Sequence, residues 1–210
     1  MRAYWNPVYK RVRLRFCRNA DEAADLTQSF FVRAYEKEFF APWDPGKGRF
    51  RTFLKVCLDG FVSNETRAAS ALKRGGDFVF TPLEFERAEG EIAEIPLPAR
   101  EDTERLFEAD WARSVFEMAV ERLGEDLRAR GRADALELFE RYDLAEGGAS
   151  EAGYRELGAA LGMSETAVTN ALALARREFR RIVLEIVRDL TATDEEFRQE
   201  MRALTGRDPS

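Results

Sequence analysis

Between residues 165 and 190 apolar side chains return every three or four positions: Val168, Leu172, Ala175, Phe179, Ile182, Ile186 and Leu190. That period lays one continuous stripe along an α-helix and cannot be presented on one face of a strand. Similar spacing recurs through most of the 210 residues, and no stretch alternates apolar and polar residues as a half-buried strand would. The expected fold class is all-α. Hydrophobic residues make up 45% of the chain, enough for a core, and charged residues 34%, which suits helices with solvated faces.

The chain divides by composition. Asn6 and Pro7 have the types that cap and open a helix, predicting one from there to about Arg18. A second helix follows in "NADEAADLTQSFFVRAYEKEFF", with acids in its first turns and Leu26, Phe30, Phe31 and Ala34 at helical spacing. After the loop "APWDPGKGR" comes a long helix through about Arg74, with Phe50, Phe53, Leu54, Cys57, Leu58 and Phe61 as its apolar stripe. Residues 75–102 then bring Pro82, Pro96 and Pro98 among many acids, which reads as an acidic interdomain linker. A second helical unit begins near Thr103, with Leu106, Phe107, Trp111, Val115, Met118 and Leu123 on one side. Ser150 is a candidate cap for a later helix, and Thr193 or Asp194 for a short final one. The boundaries read from this are a helical domain over 1–75, a linker over 76–104, a second helical domain over 105–190 and a tail over 191–210.

Several chemistries are excluded. The chain has no histidine, so histidine-activated nucleophiles and His-containing metal sites are absent. Cys17 and Cys57 are too far apart in sequence for a metal motif and form no disulfide framework. No metal, no cofactor and no enzymatic activity are expected. No apolar run approaches spanning length and the N-terminus is too interrupted by charge for a signal peptide, so no membrane insertion and a cytoplasmic location are expected. The net charge of −6 conceals a gradient. Residues 1–80 carry +6, residues 81–153 carry −11 and residues 154–210 carry −1. A basic segment in an acidic protein still attracts phosphates locally, because attraction acts over about a Debye length, roughly 10 Å.

The stretch "YRELGAALGMSETAVTNALALARREFRR" has the parts of a helix-turn-helix. Gly158 allows close approach of two helices, Gly162 suits the turn and Ser164 caps the second helix. Opposite the apolar stripe lie Thr166, Thr169, Asn170, Arg177 and Arg180. Asn170 can read adenine and threonine methyls can meet thymine, while Arg176, Arg177 and Arg180 sit a turn or two later, where backbone phosphates run. An ordinary helical hairpin would show the same glycine turn.

With these segments in order, the chain resembles the extracytoplasmic-function (ECF) class of bacterial RNA polymerase sigma factors, over roughly residues 4–75 and 105–190. "DEAADLTQSFFVRAYEK" is similar to the family's core-polymerase-binding helix, "GRFRTFLKVCLDGFVSNETRAA" to its promoter-melting helix that reads the −10 element, and the helix-turn-helix to its reader of the −35 element. The long acidic linker and the tail after Leu190 resemble an enlarged variant. The resemblance implies that core RNA polymerase and promoter DNA are the partners, with an anti-sigma factor or another regulator as a further one. It implies polymerase contacts at Asp25, Gln28 and Arg33. It implies DNA contacts at Arg49, Arg51, Lys55, Asn64, Arg67, Lys73 and Arg74 in the first domain, and at Ser164, Thr166, Thr169, Asn170, Arg176, Arg177 and Arg180 in the second. The sequence departs from the pattern at Ala24, where relatives often carry an acid, at Asp59, Gly60, Thr66 and Ala68, where they are more basic or polar, and at Gly158, where Ala is more usual. Two alternatives stand beside the sigma factor. One is a stand-alone, dimeric helix-turn-helix regulator, and the other is a sigma-like adaptor or decoy that binds no DNA.

Overall fold

The computed structural model describes residues 2–17, 19–36, 40–71, 92, 100–145 and 153–206. They form eight α-helices and no strand: α1 (Arg2–Arg15), α2 (Ala20–Glu36), α3 (Phe50–Ala71), α4 (Arg100–Ala129), α5 (Ala133–Asp143), α6 (Tyr154–Leu161), α7 (Glu165–Asp189) and α8 (Asp194–Thr205). The protein is all-α. Two compact units divide it, residues 1–114 with 191–199 and residues 115–190 with 200–210.

In the first unit α1 begins earlier than its sequence suggests. Asn6 and Pro7 lie inside the helix instead of opening it. Proline removes one backbone donor from a helix interior, but Tyr4, Val8, Tyr9 and Val12 are buried and recur at helical spacing around it. Burial of that face, at roughly 1.5–3 kcal/mol per large side chain, outweighs the missing bond. Asn19 accepts from the Glu22 amide at 2.8 Å and caps α2, whose Phe30 packs edge-on against Phe61 of α3 with ring centroids 5.5 Å apart. The loop before α3 contains a short 3-10 turn, Pro45–Lys47, capped by Asp44. Leu54, Leu58, Phe61 and Val62 of α3 are buried, whereas Phe50, Phe53 and Cys57 are only half-buried.

Residues 100–104, expected to be linker, form the first turn of α4. Asp102 and Glu104 there suit a helix N-terminus, where the backbone amides point outward. Of the stretch expected to be a linker, Ile92 is buried; its other residues before 100, including Phe78, Phe80 and Phe85, lie outside the described residues. Phe107 and Trp111 are buried in this unit. The segment 191–199 completes it. Thr193 caps α8 by accepting from the Glu196 amide at 3.1 Å, Phe197 is buried, and Glu196 accepts from the Phe50 amide at 2.6 Å, at the start of α3.

In the second unit the later part of α4 buries Val115, Ala119, Leu123 and Leu127, a strict four-residue period. Phe179 of α7 meets Phe116 and Phe139 at ring-centroid distances of 5.2 and 5.3 Å. Val168, Leu172, Ala175, Ile182 and Ile186 are buried as the stripe predicts. Helix α6 starts at Tyr154 behind Gly153, which supplies no side-chain cap; the expected cap Ser150 lies outside the described residues.

Candidate nucleic-acid interface

The α6–α7 connection is three residues long. Gly162 adopts φ 66°, a left-handed conformation that favours glycine. Ser164 accepts from the Ala167 amide at 3.2 Å and so caps α7. The Met163 amide donates to the Gly158 carbonyl at 2.8 Å, and a Cβ on Gly158 would stand 2.6 Å from the Met163 carbonyl oxygen. Gly158 and Gly162 therefore set the angle at which α7 leaves the turn.

This geometry leaves Ser164, Thr166, Thr169 and Asn170 exposed on the first turns of α7. The Thr169 hydroxyl donates to the Glu165 carbonyl at 2.9 Å, within its own helix. Arg177 and Arg180 are exposed further along. Arg176 differs: its guanidinium donates twice to Asp143, at 2.9 and 2.8 Å, and lies 5.5 Å from the Tyr142 ring centroid. The paired bonds it donates to Asp143 raise its pKa further, so its charge is fixed and already matched. Arg181 is bound on three sides by Asp126, Glu178 and Glu185.

In the first unit Asp25 and Gln28 are exposed on α2. Arg33 donates to Glu65 of α3 at 2.9 Å and lies 5.5 Å from the Phe61 ring centroid. Asn64 and Arg67 are exposed at the far end of α3, and Arg49 is half-buried before its start. Lys73 and Arg74 lie outside the described residues. Two candidate phosphate-binding cations are already engaged by carboxylates. Arg51 is 1% exposed, with its guanidinium carbon 3.8 Å from the Trp111 ring centroid and an ion pair to Glu108. Lys55 donates to Glu104 at 2.8 Å and to Glu108 at 3.0 Å. The physical reason is register: Arg51 falls three and seven residues before Leu54 and Leu58, on the buried face of α3.

Reading the sequence as separate segments misses how α1 joins this site. Arg11 holds Asp59 through two hydrogen bonds, at 3.0 and 2.9 Å, and donates to Glu104 at 2.6 Å. Arg15 also donates to Asp59, at 2.6 Å. Lys10 pairs with Asp110 at 2.8 Å, both side chains buried. The signal available was the run of cations at 10, 11, 13 and 15 in a helix that also carries a core stripe. Among the described residues no group of His, Cys, Asp and Glu could hold a metal ion, and no helix is long and apolar enough to cross a membrane.

Residues 2–71, which include α1, α2 and α3, match the family model for sigma-70 region 2. No curated protein and no solved structure matches the chain.

Proposed function

From the sigma-70 region 2 match over residues 2–71 we propose that this protein is a promoter-specificity factor of the ECF class, an enlarged variant with a long acidic linker and a C-terminal tail. That match is the observation that carries the reading. In it, Asp25, Gln28 and Arg33 of the α2 face contact core RNA polymerase. Asn64 and Arg67 of α3, with Arg49 and the following Lys73 and Arg74, contact the −10 region. Helices α6 and α7 act as a helix-turn-helix on the −35 element, capped by Ser164. Thr166, Thr169 and Asn170 meet base edges and Arg177 and Arg180 grip phosphates. Arg176, held by Asp143, ties α7 to the end of α5 instead. A reader with one amide side chain and few cations binds weakly alone. Two such readers on one chain gain effective concentration, and polymerase supplies further affinity. The factor works in the cytoplasm, with an anti-sigma factor or similar regulator as a further partner.

The test is transcription from a genomic promoter library with purified core polymerase. Initiation at a defined set of promoters is expected, and its absence would sink the reading. The engagement of Arg51, Lys55 and Arg176 by carboxylates favours a second reading, an adaptor that binds polymerase without DNA. Arg177→Ala with Arg180→Ala separates the two. A sigma factor loses about ten- to a hundredfold in DNA affinity, with a salt dependence shallower by about two phosphate contacts; an adaptor is unchanged. A stand-alone dimeric regulator would need a dimerising element, for which the short final helix α8 is the candidate; burial of its Phe197 and Met201 within the single chain argues against that role.

A further inference from the structure

Five cations of α1 and α3 stand on connected positions in the first unit. Arg11 and Arg15 share Asp59, Arg11 and Lys55 share Glu104, Lys55 and Arg51 share Glu108, and Lys10 pairs with Asp110. Of those four carboxylates only Asp59 belongs to α3; the other three lie on the first half of α4. Without that half-helix these five cations would lose three of the four carboxylates named here.

The first half of α4 is matched to this face in detail. Glu104, Phe107, Glu108 and Trp111 have the i, i+3, i+4, i+7 spacing of a single helical stripe. Acids and aromatics alternate along it. The Lys55 ammonium lies 5.3 Å from the Phe107 ring centroid, and the Arg51 guanidinium carbon 3.8 Å from that of Trp111. The burial is layered. The Arg11, Arg51 and Lys55 side chains are 3%, 2% and 14% exposed, beneath Glu104 and Glu108 at 45% and 35%. The acids are the outer layer, so lifting them uncovers the cations. An open cleft of about 530 Å³, lined by Arg11, Arg15, Lys55, Asp59 and Glu104 among others, runs along the same face.

We propose that the α1–α3 face is a phosphate-binding surface for DNA, and that the first half of α4 occupies it in cis as an acidic strap which DNA must displace. Glu104 and Glu108 stand where phosphates would stand, and they accept the same charge-assisted hydrogen bonds from arginine and lysine. The proposal rests on the DNA-binding reading above and adds its regulation. It also adds Lys10, Arg11 and Arg15 to the DNA-contacting residues.

The experiment measures binding of the full chain to a fluorescent 20-base-pair duplex of random sequence, by anisotropy across a salt series. Glu104→Gln with Glu108→Gln should bind about tenfold tighter, with the slope of log affinity against log salt steeper by roughly two contacts, because Arg51 and Lys55 become available. Unchanged affinity and slope in a folded variant overturn the strap. If near-ultraviolet circular dichroism shows that the double variant does not fold, Glu108→Gln alone decides the matter, with about threefold tighter binding expected and no change overturning the proposal. Arg177→Ala with Arg180→Ala keeps the two readings apart. If that variant weakens binding while the glutamine variants do nothing, only the strap fails. If neither the parent nor any variant binds the duplex, both fail.

Discussion

Cys17 follows the end of α1 and is 7% exposed. Burial and, secondarily, the nearby Glu22 carboxylate push its thiol up to about 11, against 9.0 for an ordinary cysteine, and Arg13 offsets this only in part. The thiolate is the reactive form, and at pH 8 only about one Cys17 in a thousand carries it. Half-buried Cys57 is also raised, by burial. A thiol reagent at pH 8 should therefore modify Cys57 first and Cys17 only on unfolding, read by mass spectrometry of digested protein. Between pH 9 and 11 the folded state keeps a proton that the unfolded state has lost, so Cys17 favours unfolding as pH rises through that window. Residue-scale legibility was uneven. Ser164, Gly162 and Thr193 perform the capping and turning roles that their types suggest, because those roles depend on a few neighbouring backbone atoms. Arg51 and Lys55 look like phosphate ligands in sequence, yet their partners Glu104, Glu108 and Trp111 lie about fifty residues away. Charge alone does not reveal whether a cation is already matched.

At the scale of elements, the α6–α7 turn inverts a familiar rule. Glycine inside a helix normally costs about 1 kcal/mol relative to alanine. At Gly158 an added Cβ would stand 2.6 Å from the Met163 carbonyl oxygen and 3.3 Å from a Val168 methyl. The contact is with backbone, which cannot swing aside. Gly158→Ala should thus destabilise the protein by roughly 1–3 kcal/mol, measured as a lower urea midpoint, with faster amide exchange in α6 and the first turn of α7. A more stable variant would show that the turn has room to shift. The α7 stripe was legible because seven positions repeat without interruption. The start of α1 was misjudged because Asn6-Pro7 is a strong local signal, and the packing of Tyr4, Val8 and Val12 around it is a tertiary effect. The first turn of α4 was assigned to the linker since its acids resemble those before it; the partners of its Glu104 are Arg11 and Lys55.

At the scale of the whole molecule, all-α architecture was readable throughout, while the membership of the units was not. Residues 191–199 were expected as part of a separate tail, yet they belong with α1–α3. Glu196 is 4% exposed and accepts from the Phe50 amide at 2.6 Å and the Ala192 amide at 2.9 Å. One carboxylate thus satisfies backbone donors 142 positions apart in the chain. Glu196→Ala should cost about 1–3 kcal/mol, since it strands two poorly hydrated amides. Hydrogen exchange mass spectrometry should show the loss in the first turn of α3 and around residue 192. An effect confined to α8 would mean that the Phe50 bond contributes nothing.

The same Glu196–Phe50 bond sets an order of events during synthesis. Ribosomes add about 5–20 residues per second and domains tend to form as they emerge. Here α1, α2 and α3 leave the ribosome early, but the carboxylate that closes the start of α3 comes only after all of α5, α6 and α7 have been made. After α3 is made, the first unit therefore waits roughly six to twenty-five seconds for that carboxylate. During that interval the start of α3 is held by water, and α5, α6 and α7 of the second unit are all made before the first unit is complete.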